Sequence, residues 1–149
     1  YYRMLSPLHE EGFLLLPEIP PHAVSNYHLF HILLPTEEAR DGLLELMRSR
    51  RIHAVFHYVP LHSSPCGQRF SEGVVLPVTE ALHARLIRLP MFYELTADDQ
   101  KAICDVIQEF LRSSPSNALI TVPTAGGAEK FGADDKQSRF GQMDRQFPK

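Results

Sequence analysis

The chain reads as an α+β fold, a short sheet covered by helices, and three stretches carry that reading. The run Tyr27-His28-Leu29-Phe30-His31-Ile32-Leu33-Leu34 is rich in aromatic and branched residues and stops at Pro35, the pattern of a strand. Leu43, Leu44 and Met47 recur at helical spacing up to Arg48, Arg50 and Arg51, behind Thr36 in the N-cap position and Glu37 and Glu38 in the first turn. Thr96-Ala97-Asp98-Asp99 matches the Thr-x-x-acid start of a helix, and Ile103, Val106, Ile107, Phe110 and Leu111 then share one face.

The remaining elements fall between these. Tyr1 to Leu5 looks like the end of a helix, and Pro17, Pro20 and Pro21 make an extended approach to the first strand. Ile52 to Tyr58 is expected as a second strand, stopped by Pro60. After an irregular stretch from Leu61 to Pro77, Thr79 to Arg88 is expected as a helix with Leu82, Leu86 and Ile87 turned inward, leaving room for a short strand at Leu89-Pro90. Composition changes at Ser113. Of the 37 residues from there to Lys149, 11 are apolar and 11 are Pro, Gly or Ser, too little apolar surface to offset the entropy of ordering them, so 113–149 is expected to be a disordered tail.

Size and charge narrow the function. The 149 residues suit one ordinary domain rather than a large two-domain enzyme, and a net charge of −3 offers no basic excess for nucleic acid or an anionic membrane. No apolar stretch approaches the roughly 20 residues that span a bilayer. Cys66 and Cys104 stand in a chain large enough to build a core, so no disulfide framework is required, and with no export signal at Tyr1 a cytoplasmic location and reduced thiols are expected. The opening on Tyr1 without an initiator Met suggests a piece of something longer.

All eight histidines lie between His9 and His83, densest in the segment containing His53, His57 and His62. On a strand, His53 and His57 would stand about 13 Å apart, which argues against a shared metal ion. Pro60 forces a bend after Tyr58, so His57 and His62 could converge on one cavity; the plainer reading is a half-buried strand histidine beside simple turn packing. Cys66 near His62 lacks an orienting third group, which argues against a Cys-His nucleophile. Lys101 is the only lysine before residue 113 and falls on the polar side of the last helix, a poor place for a Schiff-base amine.

Several pieces, in order, resemble the C-terminal domain of the DegT/StrS sugar-nucleotide aminotransferases from about Tyr1 to Leu111. They are Gly12, Leu16-Pro17, the strand opening Asn26-Tyr27-His28, the segment Ile52 to His62 with its His57-Tyr58-Val59-Pro60-Leu61-His62, Pro65-x-Gly67, and Leu89-Pro90 leading to Thr96. The branch that makes dTDP-4-amino-4,6-dideoxygalactose is the most similar. Two departures stand out: Arg51 occupies a position where the family often has Gly, and the tail has no counterpart. The resemblance implies the small domain of a fold-type I enzyme using pyridoxal 5'-phosphate, with L-glutamate as donor and the C4 ketone of a dTDP-4-keto-6-deoxyhexose as acceptor. It implies a homodimer, a cofactor held mainly by an N-terminal domain, and His57, Tyr58 and His62 as substrate-binding residues, with no catalytic residue and no metal in this chain. In that scheme 1–20 is the end of an interdomain helix and linker and 21–112 the small domain. The residues alone also permit a stand-alone α+β ligand-binding or regulatory module without catalysis.

Overall fold

In the computed structural model, residues 1–71 and 73–113 are described. Among them the chain forms helix α1 (Tyr2–Glu10), strand β1 (Phe30–Leu33), helix α2 (Glu37–Ser49), strand β2 (Val55–Phe56), helix α3 (Pro77–Arg85), strand β3 (Leu86–Leu89) and helix α4 (Ala97–Ser113), with single 3-10 turns at Leu61–Ser63 and Gly67–Arg69. The 113–149 segment lies outside the described residues, apart from Ser113 at the end of α4.

Both anticipated helix starts carry their caps. Thr36 Oγ1 accepts a hydrogen bond from the Ala39 N–H at 3.2 Å. At α4 the Asp99 N–H donates to Thr96 Oγ1 at 3.1 Å, while Asp99 Oδ2 accepts from the Thr96 N–H at 3.1 Å and from the Thr96 hydroxyl. This reciprocal box satisfies two backbone donors that have no partner inside the helix. Where α2 ends, Arg51 adopts φ 62°, the left-handed conformation that a helix terminus commonly needs and glycine adopts without penalty. A glycine would take this turn without penalty, and arginine adopts it at some strain.

The sheet has the order β1-β3-β2, with β3 antiparallel to both neighbours. Ile32 stands opposite Ile87 and Phe30 opposite Leu89, and this face packs on the helices. Leu43 and Met47 of α2, Ile103 and Ile107 of α4, and Leu5 and Leu8 of α1 complete a single apolar cluster. An isolated bridge between Leu15 and Leu33 extends the sheet beyond β1.

Four expectations need correction. Leu86 and Ile87 are not helical: α3 ends at Arg85, and Leu86–Leu89 is the central strand, longer than the Leu89-Pro90 pair anticipated. The alternation of buried Ile87 and Leu89 with half-buried Leu86 and Arg88 has the strand period, and α3 itself buries no residue. The first strand is four residues, not eight, because Tyr27 takes φ 50° and the Asn26 side chain accepts from the His28 N–H, a local turn that competes with pairing. The second is two residues, pairing Val55 with Arg88 and Phe56 with Ile87. The N-terminal helix runs to Glu10, through Pro7, rather than ending near Leu5.

Candidate substrate-binding site

His57 and Tyr58 follow directly from the edge strand β2, so their position is set by the pairing of that strand with β3. Their rings are 5.0 Å apart, and the Arg88 guanidinium lies 5.3 Å from the centre of the Tyr58 ring. His57 is half-buried with Nδ1 shielded from solvent and without a hydrogen-bond partner, while Tyr58 is exposed. The two line a groove of about 390 Å³ whose far wall is α3, through Thr79, Leu82 and His83. An apolar trough with an unsatisfied imidazole and a phenol at its lip can hold an amphipathic ligand by packing and a few directed hydrogen bonds.

His62 does not join them. It sits on the 3-10 turn after Pro60, and its Nε2 lies 2.6 Å from Glu80 Oε1 on α3, in a separate groove with Gln68 and Ser71. Glu80 intercepts the imidazole, so the bend at Pro60 separates the two histidines instead of converging them. The turn is tied internally: Ser64 Oγ donates to the Leu61 carbonyl at 2.8 Å, the Gly67 N–H donates to Ser64 Oγ at 3.0 Å, and the Ser71 hydroxyl reaches the His62 carbonyl at 2.8 Å. A Cβ on Gly67 would run into the Leu61 carbonyl, so glycine is required for the chain to pass this closely.

Arg88, His31 and His83 were not singled out from the sequence. Register brings the first two together, since His31 and Arg88 are direct partners across β1 and β3 and share the sheet face opposite the core. Burial lowers the proton affinity of His31, and His57 lowers it further. At His57 burial is again the main cause, followed by Arg88 and His83. Unfolding restores the ordinary value of 6.5, so in the window between the lowered values and 6.5 the unfolded chain binds more protons, and stability drops as acid is added. The melting temperature is therefore expected to fall between about pH 7.5 and about pH 5.5 more steeply in this chain than in the double variant His31→Gln/His57→Gln. Equal slopes would show that neither ring is held neutral by the fold.

Other chemistry finds little support. Among the described residues no three His, Cys, Asp or Glu side chains are grouped to hold a metal ion. Cys66 and Cys104 are free, and burial pushes the Cys104 thiol up. A larger cavity of about 700 Å³ lies between the end of α2 and α4, away from His57 and Tyr58, and Arg50 pairs with Glu109 at 3.0 Å on its wall. Lys101 Nζ is 2.6 Å from Asp105 Oδ2 on the solvent side of α4, and that hydrogen bond holds its amine above the ordinary value.

Residues 1–108 match the DegT/DnrJ/EryC1/StrS aminotransferase family. The chain belongs to that family. It is 31% identical over 115 residues to the pleiotropic regulatory protein of Geobacillus stearothermophilus, covering 75% of this chain and 30% of the relative. It is 27% identical over 108 residues to the 3-oxo-glucose-6-phosphate:glutamate aminotransferase of Bacillus subtilis, covering 70% and 24%. Among solved structures it superposes with a TM-score of 0.64 and 28% identity on S. venezuelae DesV in complex with a ketimine intermediate, covering 73% of this chain and 29% of that one. The chain thus spans less than a third of the length of each of these relatives.

The family's cofactor, pyridoxal 5'-phosphate, needs an amine that loses its proton easily to form a covalent link. Lys101, the only lysine among the described residues, is exposed and held protonated by Asp105, and does not fit that role.

Proposed function

We propose that this chain is the C-terminal small domain of a fold-type I, pyridoxal-phosphate-dependent sugar-nucleotide aminotransferase, with 1–20 as the end of an interdomain helix and linker and 21–112 as the domain. The full-length enzyme transfers an amino group from L-glutamate to the C4 ketone of a dTDP-4-keto-6-deoxyhexose, yielding dTDP-4-amino-4,6-dideoxygalactose for cell-surface polysaccharide or antibiotic sugars, and works as a homodimer. The cofactor is held mainly by the large N-terminal domain of that enzyme. The family match over 1–108 carries this reading, and the groove behind His57 and Tyr58 supports it with a place for the sugar nucleotide. His57 and Tyr58 hold and orient substrate, and His62 acts through Glu80 to fix the loop that follows Pro60.

In the full-length enzyme His57→Asn and Tyr58→Phe each remove one hydrogen bond to a neutral group. The expected result is a rise in the sugar KM of up to roughly tenfold with the glutamate half-reaction nearly unchanged. Loss of the glutamate half-reaction in a folded variant would move the residue into the cofactor chemistry and overturn the assignment. A second reading, a ligand-binding or regulatory module without catalysis, draws on the name of the G. stearothermophilus relative. A full-length protein that binds dTDP-sugar but never transfers an amino group would favour it.

A further inference from the structure

We infer that the sheet face opposite the core carries a binding site for a phosphate-type anion, in a groove of about 320 Å³ where Arg88 forms the wall and His28 and His53 stand at the rim.

Arg88 is the anchor. It projects from the central strand, where its partners across the sheet are His31 and Val55, neither an acid. Among the described residues it makes no ion pair, and its Nε is shielded from solvent without a hydrogen-bond partner. A shielded guanidinium nitrogen left unsatisfied is costly, and a planar fork of N–H donors matches the oxygens of a phosphoryl group. Its guanidinium carbon lies over the Tyr58 ring, 5.3 Å from the centre, a contact that holds the group without neutralising it. By contrast, Arg40, Arg50 and Arg112 are each paired with a carboxylate.

The groove suits an anion in two further ways. None of the residues lining it is acidic, and two of them are imidazoles. His28 Nδ1 is 2.6 Å from Asn26 Oδ1, which orients the ring at the rim. Val55, Met91 and Phe92 supply apolar walls beside the cationic end, so the occupant carries an apolar or ring portion next to its phosphoryl group. The Arg88–Tyr58 contact joins this groove to the one behind His57, so a single phosphorylated sugar can span both. That continuity rests on the substrate reading above; the anion site itself does not. The phosphoryl group can come from the diphosphate of a nucleotide sugar or from a sugar phosphate monoester.

The test uses the 149-residue chain and three probes, inorganic pyrophosphate, dTDP-glucose and glucose 6-phosphate, followed by calorimetry and by the histidine ring signals in NMR. Saturable binding of pyrophosphate is expected, shifting the His28 and His53 ring signals and weakened about tenfold or more in Arg88→Gln, with partial retention in Arg88→Lys. Arg48→Gln, on the exposed side of α2, should bind as the parent does. Displacement of pyrophosphate by dTDP-glucose assigns the diphosphate as the source, and displacement by glucose 6-phosphate alone assigns a monoester; either supports the site. Pyrophosphate binding without displacement by dTDP-glucose keeps the anion site and removes the nucleotide-sugar reading. Should Arg88→Gln not fold, His28→Asn and His53→Asn, whose side chains are exposed, replace it. No saturable binding of any probe, or binding insensitive to all of these substitutions, overturns the proposal.

Discussion

Ile87→Ala is expected to destabilise the chain by about 2–5 kcal/mol, the range for deleting a fully buried branched side chain and leaving a cavity. Ile87 is 0% exposed and sits on the central strand, opposite Ile32 on one side and Phe56 on the other, so its removal opens the contact between sheet and helices. A single domain is stabilised by about 5–15 kcal/mol in total, so the variant should melt far lower, or unfold during denaturant titration at little added urea. Val78→Ala on α3, where the side chain is 72% exposed, should change stability by less than about 0.5 kcal/mol. A similar loss in both variants would show that Val78 is as deeply packed as Ile87 and contradict the placement of α3 outside the core. A neutral Ile87→Ala would mean that the sheet is not the base of the core.

The physical reason that this strand was hard to read explains most of what was missed. α2 and α4 are legible because each signal is local: a capping side chain three residues from its backbone partner and an apolar face within one helix. Leu86–Leu89 is four residues long, follows α3 without a Gly or Pro between them, and gains its conformation from Phe30–Leu33 more than fifty positions earlier. Thr79 to Arg88 could therefore pass as one helix until the partner strand was in place. The candidate site divides the same way. His57 and Tyr58 stand in a contiguous motif and were visible. Arg88 and His31 acquire meaning only from the register that makes them partners, and the capture of His62 by Glu80 depends on where α3 is laid down. Arg51 is the intermediate case: the sequence marks it as a departure from the resemblance, and its φ of 62° is a conformation that glycine adopts without penalty.

Incubation of the 149-residue chain with pyridoxal 5'-phosphate, followed by borohydride reduction, is expected to leave no saturable one-to-one adduct at Lys101. A covalent link requires the neutral amine, and enzymes lower lysine proton affinity by burying the group or placing another cation beside it. Lys101 has the opposite surroundings. Its side chain is 67% exposed, and the Asp105 carboxylate one helical turn away holds the proton on. Replacing Asp105 with Asn removes that hold without burying the amine, so D105N should still give no specific adduct. Only slow labelling proportional to cofactor concentration is expected, as for any surface lysine. The readout is the mass of the reduced protein and the position of the modified residue by peptide mapping, with cofactor at and above the protein concentration. A stoichiometric adduct at Lys101 would show that α4 can desolvate this residue, and the chain would then carry cofactor chemistry of its own.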